Sequence, residues 1–396
     1  MNSGKSMESR QVPVIVVFSH IIGLPIIRTL GKEGIPIVAV HYQDNEFSQY
    51  SKYVSRRYKM TSPLIDEAKF IEELSSLSGD YKGALLVPAD DSAVIPLSKY
   101  KNKLAAYFKV AVNDWEIANV CIEKQKTYEL AEELSIPCPQ TAFCNSLEHL
   151  PELSKEFSFP FLLKPSQSHL FFRLFKKKAF VINNEDDLLF YSGLLNKFNL
   201  SFVLQEIIPG PPSNGVNYNS YMINHVPVAE FTAQKIRIDP PFFGSPRVIV
   251  SRKIPEIIEP GRKLLAALNY EGFSCVEFKK DQRDQAYKLM EINARPNLSG
   301  ALAVRAGINF PLIMYEHLVK GNILASNSFI ENIYWIDLQK DLYRFFTSKK
   351  IEGISFSDYI RPYKEKHIFA VLSLSDPGPF RHRTWLLLKE LLFGKT

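Results

Sequence analysis

Cysteine is scarce in this chain: Cys121, Cys138, Cys144 and Cys275 are the only four in 396 residues. No two of them form a C-x-x-C pair, so neither a zinc site nor a disulfide framework is expected, and the thiols read as reduced, as in a cytoplasmic protein. No run of about 18 or more apolar residues occurs, so no transmembrane helix is expected. The polar start MNSGKSMESRQ is not followed by the apolar stretch of a secretory signal. Charge is barely in excess of either sign: the net +6 suits small anionic substrates and is too slight to argue for nucleic acid. The first βα turn, FSHIIG, lacks G-x-G-x-x-G, which disfavours a dinucleotide site. No Ser-His-Asp or Cys-His set stands out, and there is no internal repeat or low-complexity tract.

What is present is ordinary globular material, 46% hydrophobic and 23% charged, with 28 Phe and 18 Tyr. PVIVVF (13–18) predicts a buried parallel strand, IIGLPIIRTLGKEG a helix ending at Gly34, and IPIVAVHY a second strand. The alternation continues through a helix at 66–78, the strand ALLVPAD and a short strand near 108–112, so residues 1–112 predict a doubly wound α/β domain. Asp90 and Asp91 stand at a strand's carboxyl end, where α/β sheets bind ligands, although capping the next helix is the favoured role for one of them. Residues 113–321 predict an α+β pair of subdomains, 113–200 and 201–321, with strands at FPFLLKP, FVLQEIIPG, FSCVEFKKD and AYKLMEINA. Residues 322–396 form a C-terminal extension. Its end, FRHRTWLLLKELLFGKT, suits an amphipathic helix, lying on a membrane surface or, as favoured, packing its leucines on the domain.

The stretch LMEINARP places Glu291, Asn293 and Arg295 at spacing two, on one face of a strand, with Met290, Ile292 and Ala294 toward the core. On the preceding strand Glu277 faces with Cys275 and Lys279, while Val276 and Phe278 face inward. A short connection makes the two strands antiparallel neighbours and brings Glu277 close to Glu291. Two carboxylates about 4 Å apart repel by roughly 4 kcal/mol at an effective dielectric of 20. A proton, Arg295 or a divalent cation would offset that. Carboxylate and amide oxygens suit Mg²⁺, a hard ion often shared with nucleotide phosphates. A solvated face with a weak salt bridge to Arg295 is the plainer alternative.

Lysines supply the complement. Lys164 ends a buried-looking strand, where an ammonium calls for an anion or a nearby acid. Lys124 opens a helix, where the dipole does not help it, and is otherwise a surface charge. Two lysines upstream of an acidic hairpin describe a nucleotide triphosphate site.

In order and spacing, EKQKTYELAEELSIPCPQT, PFLLKPS, LQEIIPG, FSCVEFKKD and LMEINARP resemble the ATP-grasp superfamily over roughly residues 12–321, and within it the carboxylate–amine ligases similar to D-aspartate ligase. The resemblance implies an ATP-grasp fold with an N-terminal Rossmann-like (pre-ATP-grasp) domain. It implies a cytoplasmic ligase that joins a small-molecule carboxylate to an amine through an acyl phosphate, with ATP and two Mg²⁺ ions for which Mn²⁺ can substitute. By position, Lys124, Lys164 and Lys178 would meet phosphates, and Gln205, Glu206, Ile207 and Ile208 would hold adenine. Glu277, Glu291 and Asn293 would bind metal, and Arg295 would steady the transferred phosphoryl group. Arg237 and Arg247, which flank the PPFFG loop, could hold the carboxylate substrate in bidentate fashion or be surface charge. A homodimer and peripheral membrane contact by the C-terminus are further expectations, the latter with a glycan- or lipid-linked acceptor. Two departures stand out: QSHLFFRLFKKK has no glycine, so His169, Arg173 or Lys177 would replace backbone cradling of phosphate, and the usual ribose-binding acid is absent, its position falling in GPPSNG. The glycine-free loop motivates an alternative, an ATP-binding regulator or scaffold with reduced chemistry.

Overall fold

The computed structural model describes residues 11–144, 149–165, 175, 179–197, 202–240, 244–348 and 354–393. Lys178, His169, Arg173 and Lys177 lie outside them.

The N-terminal sheet contains β1 (Val14–Val17), β2 (Ile37–His41), β3 (Val54–Lys59), β4 (Leu85–Pro88) and β5 (Lys109–Val110), all parallel, in the order β3-β2-β1-β4-β5. Every residue of β1 and β4 is buried, as continuous apolar runs require when helices cover both faces. The strand β3 was not foreseen: VSRRYK is mostly exposed and basic and has no apolar side to betray it. The strand order reverses between β1 and β4, so their carboxyl ends open a crevice. The connections that leave those ends are residues 18–22 and 89–90.

A four-stranded sheet follows, with β6 (Thr141–Cys144), β7 (Phe161–Pro165), β8 (Phe180–Ile182) and β9 (Phe202–Glu206) in the antiparallel order β6-β9-β7-β8. The strand at 202–206 thus completes the small sheet, whereas a division at residue 200 assigns it to the large subdomain. The helices at Trp115–Ile122 and Lys124–Glu133 also depart from that division. Their Ala118, Cys121 and Ala131 pack with Tyr218, Val276 and Phe278 of the large sheet.

The large sheet comprises β10 (Gly215–Ile223), β11 (Val226–Asp239), β12 (Ser245–Ser251), β13 (Gly272–Lys280), β14 (Tyr287–Asn293), β15 (Tyr334–Ile336) and β16 (His367–Phe369), in the order β14-β13-β10-β11-β12-β15-β16. Its pairs are antiparallel except β15 with β16. The C-terminal extension therefore adds two strands to this sheet. It also reaches the N-terminal sheet. Asp376, 1% exposed, accepts from Arg28 Nε at 2.9 Å, Ser51 Oγ at 2.8 Å and the Lys52 amide at 2.8 Å. Two residues on, a Cβ at Gly378 would stand 2.1 Å from the Tyr50 carbonyl oxygen, so only glycine allows this approach of backbone to backbone.

The helix Gly378–Phe393 corrects one expectation. Its later leucines do not pack on the domain: Leu388, Leu391 and Leu392, with Phe393, are 52–75% exposed. The reason is geometric, since the helix is anchored at its first turns by Pro379 and by Arg383 paired with Asp337, and runs outward from there. No helix among the described residues is long and apolar enough to cross a membrane.

Candidate active site

The three sheets enclose a cleft of about 1060 Å³. Its walls include His20, Asp91, Lys124, Lys164, Lys235, Glu277, Glu291, Asn293 and Arg295. The crevice of the N-terminal sheet forms one side and the β13–β14 hairpin the other.

The hairpin register puts Glu277 directly opposite Glu291 and Cys275 opposite Asn293, which is the antiparallel neighbourhood the strand alternation predicts. Val276 and Phe278 are buried beneath, each contributing on the order of 2 kcal/mol through apolar burial. One side chain departs. Met290 lies at a bulge, where the register shifts between Glu277 and Phe278, and it faces the cleft instead of the core. The bulge returns Glu291 to the face of Glu277, and Leu289 takes the core position. The Met290 carbonyl is held by Tyr128 Oη at 2.9 Å.

Lysines answer the charge problem of the acidic pair. Lys235, on β11, forms a close ion pair with Glu277, and Lys124 Nζ stands 3.9 Å from Glu291. Burial pulls the Lys235 pKa down, but the charge and hydrogen bond of Glu277, with Glu291 behind, outweigh it and hold the ammonium above its usual value. Asn293 donates to Glu291 Oε1 at 3.4 Å. Sequence reasoning missed Lys235. The available signal was Lys235 sharing a strand face with Ala229, Phe231 and Ala233, where a charge needs a partner.

Arg295 does not neutralise the hairpin acids directly. It grips Asp91 in bidentate fashion, Nε–Oδ1 2.8 Å and Nη2–Oδ2 2.9 Å, and so ties the hairpin to the N-terminal sheet. Asp90 takes the capping role, accepting from the Ala93 amide at 3.1 Å while Tyr42 Oη donates to it at 2.9 Å.

Lys164 projects from β7 into the cleft and donates to Gln205 Oε1 at 2.5 Å. Gln205, fully buried, passes this on through Nε2 to Tyr128 Oη (2.9 Å) and Thr141 Oγ1 (3.0 Å). Glu206 is turned to Arg283 (2.6 Å) and the Gln140 amide (2.9 Å). The Ile208 carbonyl accepts from Lys279 at 2.7 Å. Burial, and then the charge of Lys235, lower the Lys279 pKa. Here the wall of the cleft is made by Lys279, Gly210, Pro212 and Gly215, just beyond the strand end that carries Gln205, Glu206, Ile207 and Ile208.

Arg237 and Arg247 are neither surface charges nor part of the wall. They are 2% and 1% exposed and converge on the fully buried Asp341. Arg237 donates through Nε (3.0 Å) and Nη2 (2.7 Å), Arg247 through Nε (2.8 Å), and Tyr363 Oη adds 2.6 Å. Their sequence position beside the PPFFG loop did not reveal a partner about a hundred residues away.

Among the described residues no group of three or more His, Cys, Asp or Glu could hold a metal ion. The donors here are two carboxylates and an amide, all oxygen. That set is incomplete by itself and fits a hard cation that takes further oxygens from a bound phosphate.

No protein-family model matches the chain. It is 26% identical over 340 residues to D-aspartate ligase of Enterococcus faecium, covering 81% of this chain and 78% of that one. Among solved structures it is similar to an L-amino acid ligase from Bacillus licheniformis (TM-score 0.60, 16% identity, 78% of this chain and 75% of that one). It is also similar to the biotin carboxylase domain dimer of the Hydrogenobacter thermophilus 2-oxoglutarate carboxylase in complex with MgADP, ADP and bicarbonate (TM-score 0.63, 14% identity, 81% and 72%).

Proposed function

We propose that this chain, an ATP-dependent ligase of the ATP-grasp fold and a homologue of D-aspartate ligase, joins a carboxylate to an amine in the cleft between its three sheets. The observation that carries the proposal is the register of Glu277 against Glu291, with lysines facing them from three elements.

ATP and magnesium are the cofactors of this class. Glu277, Glu291 and Asn293 would hold the metal, in two ions for which manganese can substitute, and its charge would offset that of the β- and γ-phosphates. Lys124 and Lys164 would meet the α- and β-phosphates, with Gln205 and Tyr128 keeping the Lys164 ammonium aimed into the cleft. Lys235 would exchange its hold on Glu277 for the γ-phosphate. Backbone groups of 206–208 would receive the adenine. Arg295, oriented by Asp91, would steady the phosphoryl group as the substrate carboxylate attacks it and ADP leaves. The amine then displaces phosphate from the acyl phosphate and the amide forms. Such chemistry needs positioning and electrostatics more than a protein nucleophile.

A screen of amino acids against amines for ATP-dependent phosphate release tests this. Turnover is expected for at least one pair. Glu291→Ala, at a half-exposed position, is expected to abolish ADP release and leave the fold intact; full turnover in that variant overturns the metal role. Nucleotide binding without release under every pair favours a regulator or scaffold.

For the partner, the exposed Trp385, Leu388, Leu391 and Leu392 with Arg381 and Lys389 suit peripheral contact with an anionic membrane, where a lipid-linked amine would be presented. Replacing Leu388, Leu391 and Leu392 with Glu is expected to abolish co-sedimentation with phosphatidylserine vesicles. Unchanged partitioning ends that assignment, and loss of a homodimer in the same variant would assign the face to a second copy.

A further inference from the structure

Two lysines line the floor of the cleft on the large sheet, Lys235 on β11 and Lys279 on β13. Gly215, on β10, lies between them. It is opposite Lys279 in the register, and a Cβ on it would come within 3.0 Å of Lys235 Cδ and 3.2 Å of the Pro212 carbonyl oxygen. The missing side chain therefore keeps the floor open between the two ammoniums. Strand alternation puts Lys279 on the face of Glu277. Its stem carries the ammonium to the chain leaving β9, where Nζ donates to the Ile208 carbonyl at 2.7 Å.

The acids nearby are already engaged. Glu277 is the close partner of Lys235. Asp281, fully buried, is gripped by Arg283 through Nε at 3.0 Å and Nη2 at 2.6 Å. Among the described residues the Ile208 carbonyl, a neutral group, is the one hydrogen-bond acceptor that Lys279 meets. An ammonium carries three N–H donors, so this contact leaves donors for a ligand. Lys235 is near enough for its charge to be felt at Lys279. One of these like charges is offset by a carboxylate and the other by a carbonyl alone, so an anionic or electron-rich oxygen placed between them relieves their repulsion.

We propose that Lys279 is a nucleotide-binding residue. Its ammonium, set by the Ile208 carbonyl, meets oxygens of the ribose–α-phosphate segment, between the base at 206–208 and the metal at Glu277 and Glu291. This assignment rests on the nucleotide site proposed above and adds to it a cation on the same strand as Glu277. Because Lys279 also joins β13 to the chain leaving β9, the nucleotide is clasped where the small and large sheets meet.

The test is calorimetry on the full chain with Mg²⁺, titrating ADP, 2′-deoxy-ADP and 3′-deoxy-ADP, together with phosphorus NMR of bound ADP at saturation. Lys279→Met, which keeps most of the stem, is expected to weaken ADP by about tenfold or more, the worth of a hydrogen bond to a charged group. Lys279→Arg is expected to restore most of that affinity. If the contact is to a ribose hydroxyl, the penalty falls below twofold for the deoxynucleotide that lacks it. If it is to the α-phosphate, the penalty is the same for all three ligands and the bound α-phosphorus resonance moves between wild type and Lys279→Met. An ADP penalty below twofold, or a uniform penalty with that resonance unmoved, overturns the assignment, makes Lys279 a brace for the chain after β9 and leaves the nucleotide site standing. Failure of the wild type to bind ADP with Mg²⁺ overturns both.

Discussion

At the scale of single residues, burial decides which charges can change. His20 is held neutral, with a pKa of about 4 against 6.5 in the unfolded chain, chiefly by desolvation. Between those values the unfolded state binds the extra proton, so this residue's contribution to stability is full above pH 6.5 and is lost as pH falls toward 4. The loss amounts to roughly 3 kcal/mol at about 1.4 kcal/mol per unit. His20→Gln is expected to be less acid-sensitive than the wild type over that window by denaturant titration, and the His20 imidazole signal is expected to titrate near pH 4; a midpoint near 6.5 contradicts the buried setting. The neighbourhood of the hairpin acids was readable in advance. Glu277, Glu291 and Asn293 were legible because strand alternation fixes which side chains share a face. Lys235 and the true position of Met290 were not. The first depends on a pairing between β11 and its neighbours, and the second on a bulge that alternation cannot announce.

At the scale of elements, the buried charge cluster around Asp341 joins β11, β12 and the helices Leu338–Ser348 and Phe356–Lys364. Two guanidiniums left without their carboxylate in an interior site would be costly. Asp341→Ala is expected to destabilise the protein by ~3–5 kcal/mol in urea denaturation. A change below about 1 kcal/mol would mean that Arg237 and Arg247 find other partners or water. The element pattern was largely legible wherever a strand or helix had an apolar side: β1, β2, β4 and the hairpin β13–β14 lie where periodicity puts them. The strand β3 was not, because VSRRYK has no apolar side, and β15 and β16 were not, because three residues are too few to show a period.

At the scale of the whole molecule, the chain closes on itself. The extension leaves the large sheet through β15 and β16, crosses to the N-terminal sheet at Asp376, and lines the cleft between them on the way. Such a strap was invisible in sequence, since its contacts join residues more than 300 positions apart. Asp376→Asn is expected to raise amide hydrogen exchange in both 48–53 and 377–386 while leaving β13 and β14 protected; exchange unchanged in both segments would show that the anchor holds nothing in place. The central claim is that the paired acids of β13 and β14 share divalent ions with a triphosphate facing the lysines. Calorimetry of a non-hydrolysable ATP analogue, with and without Mg²⁺, on the wild type and on the Glu277→Gln, Glu291→Gln double variant measures it most directly. The account predicts magnesium-dependent uptake by the wild type and loss of that dependence in the variant; uptake indifferent to magnesium in the wild type, or unchanged dependence in the variant, would contradict it.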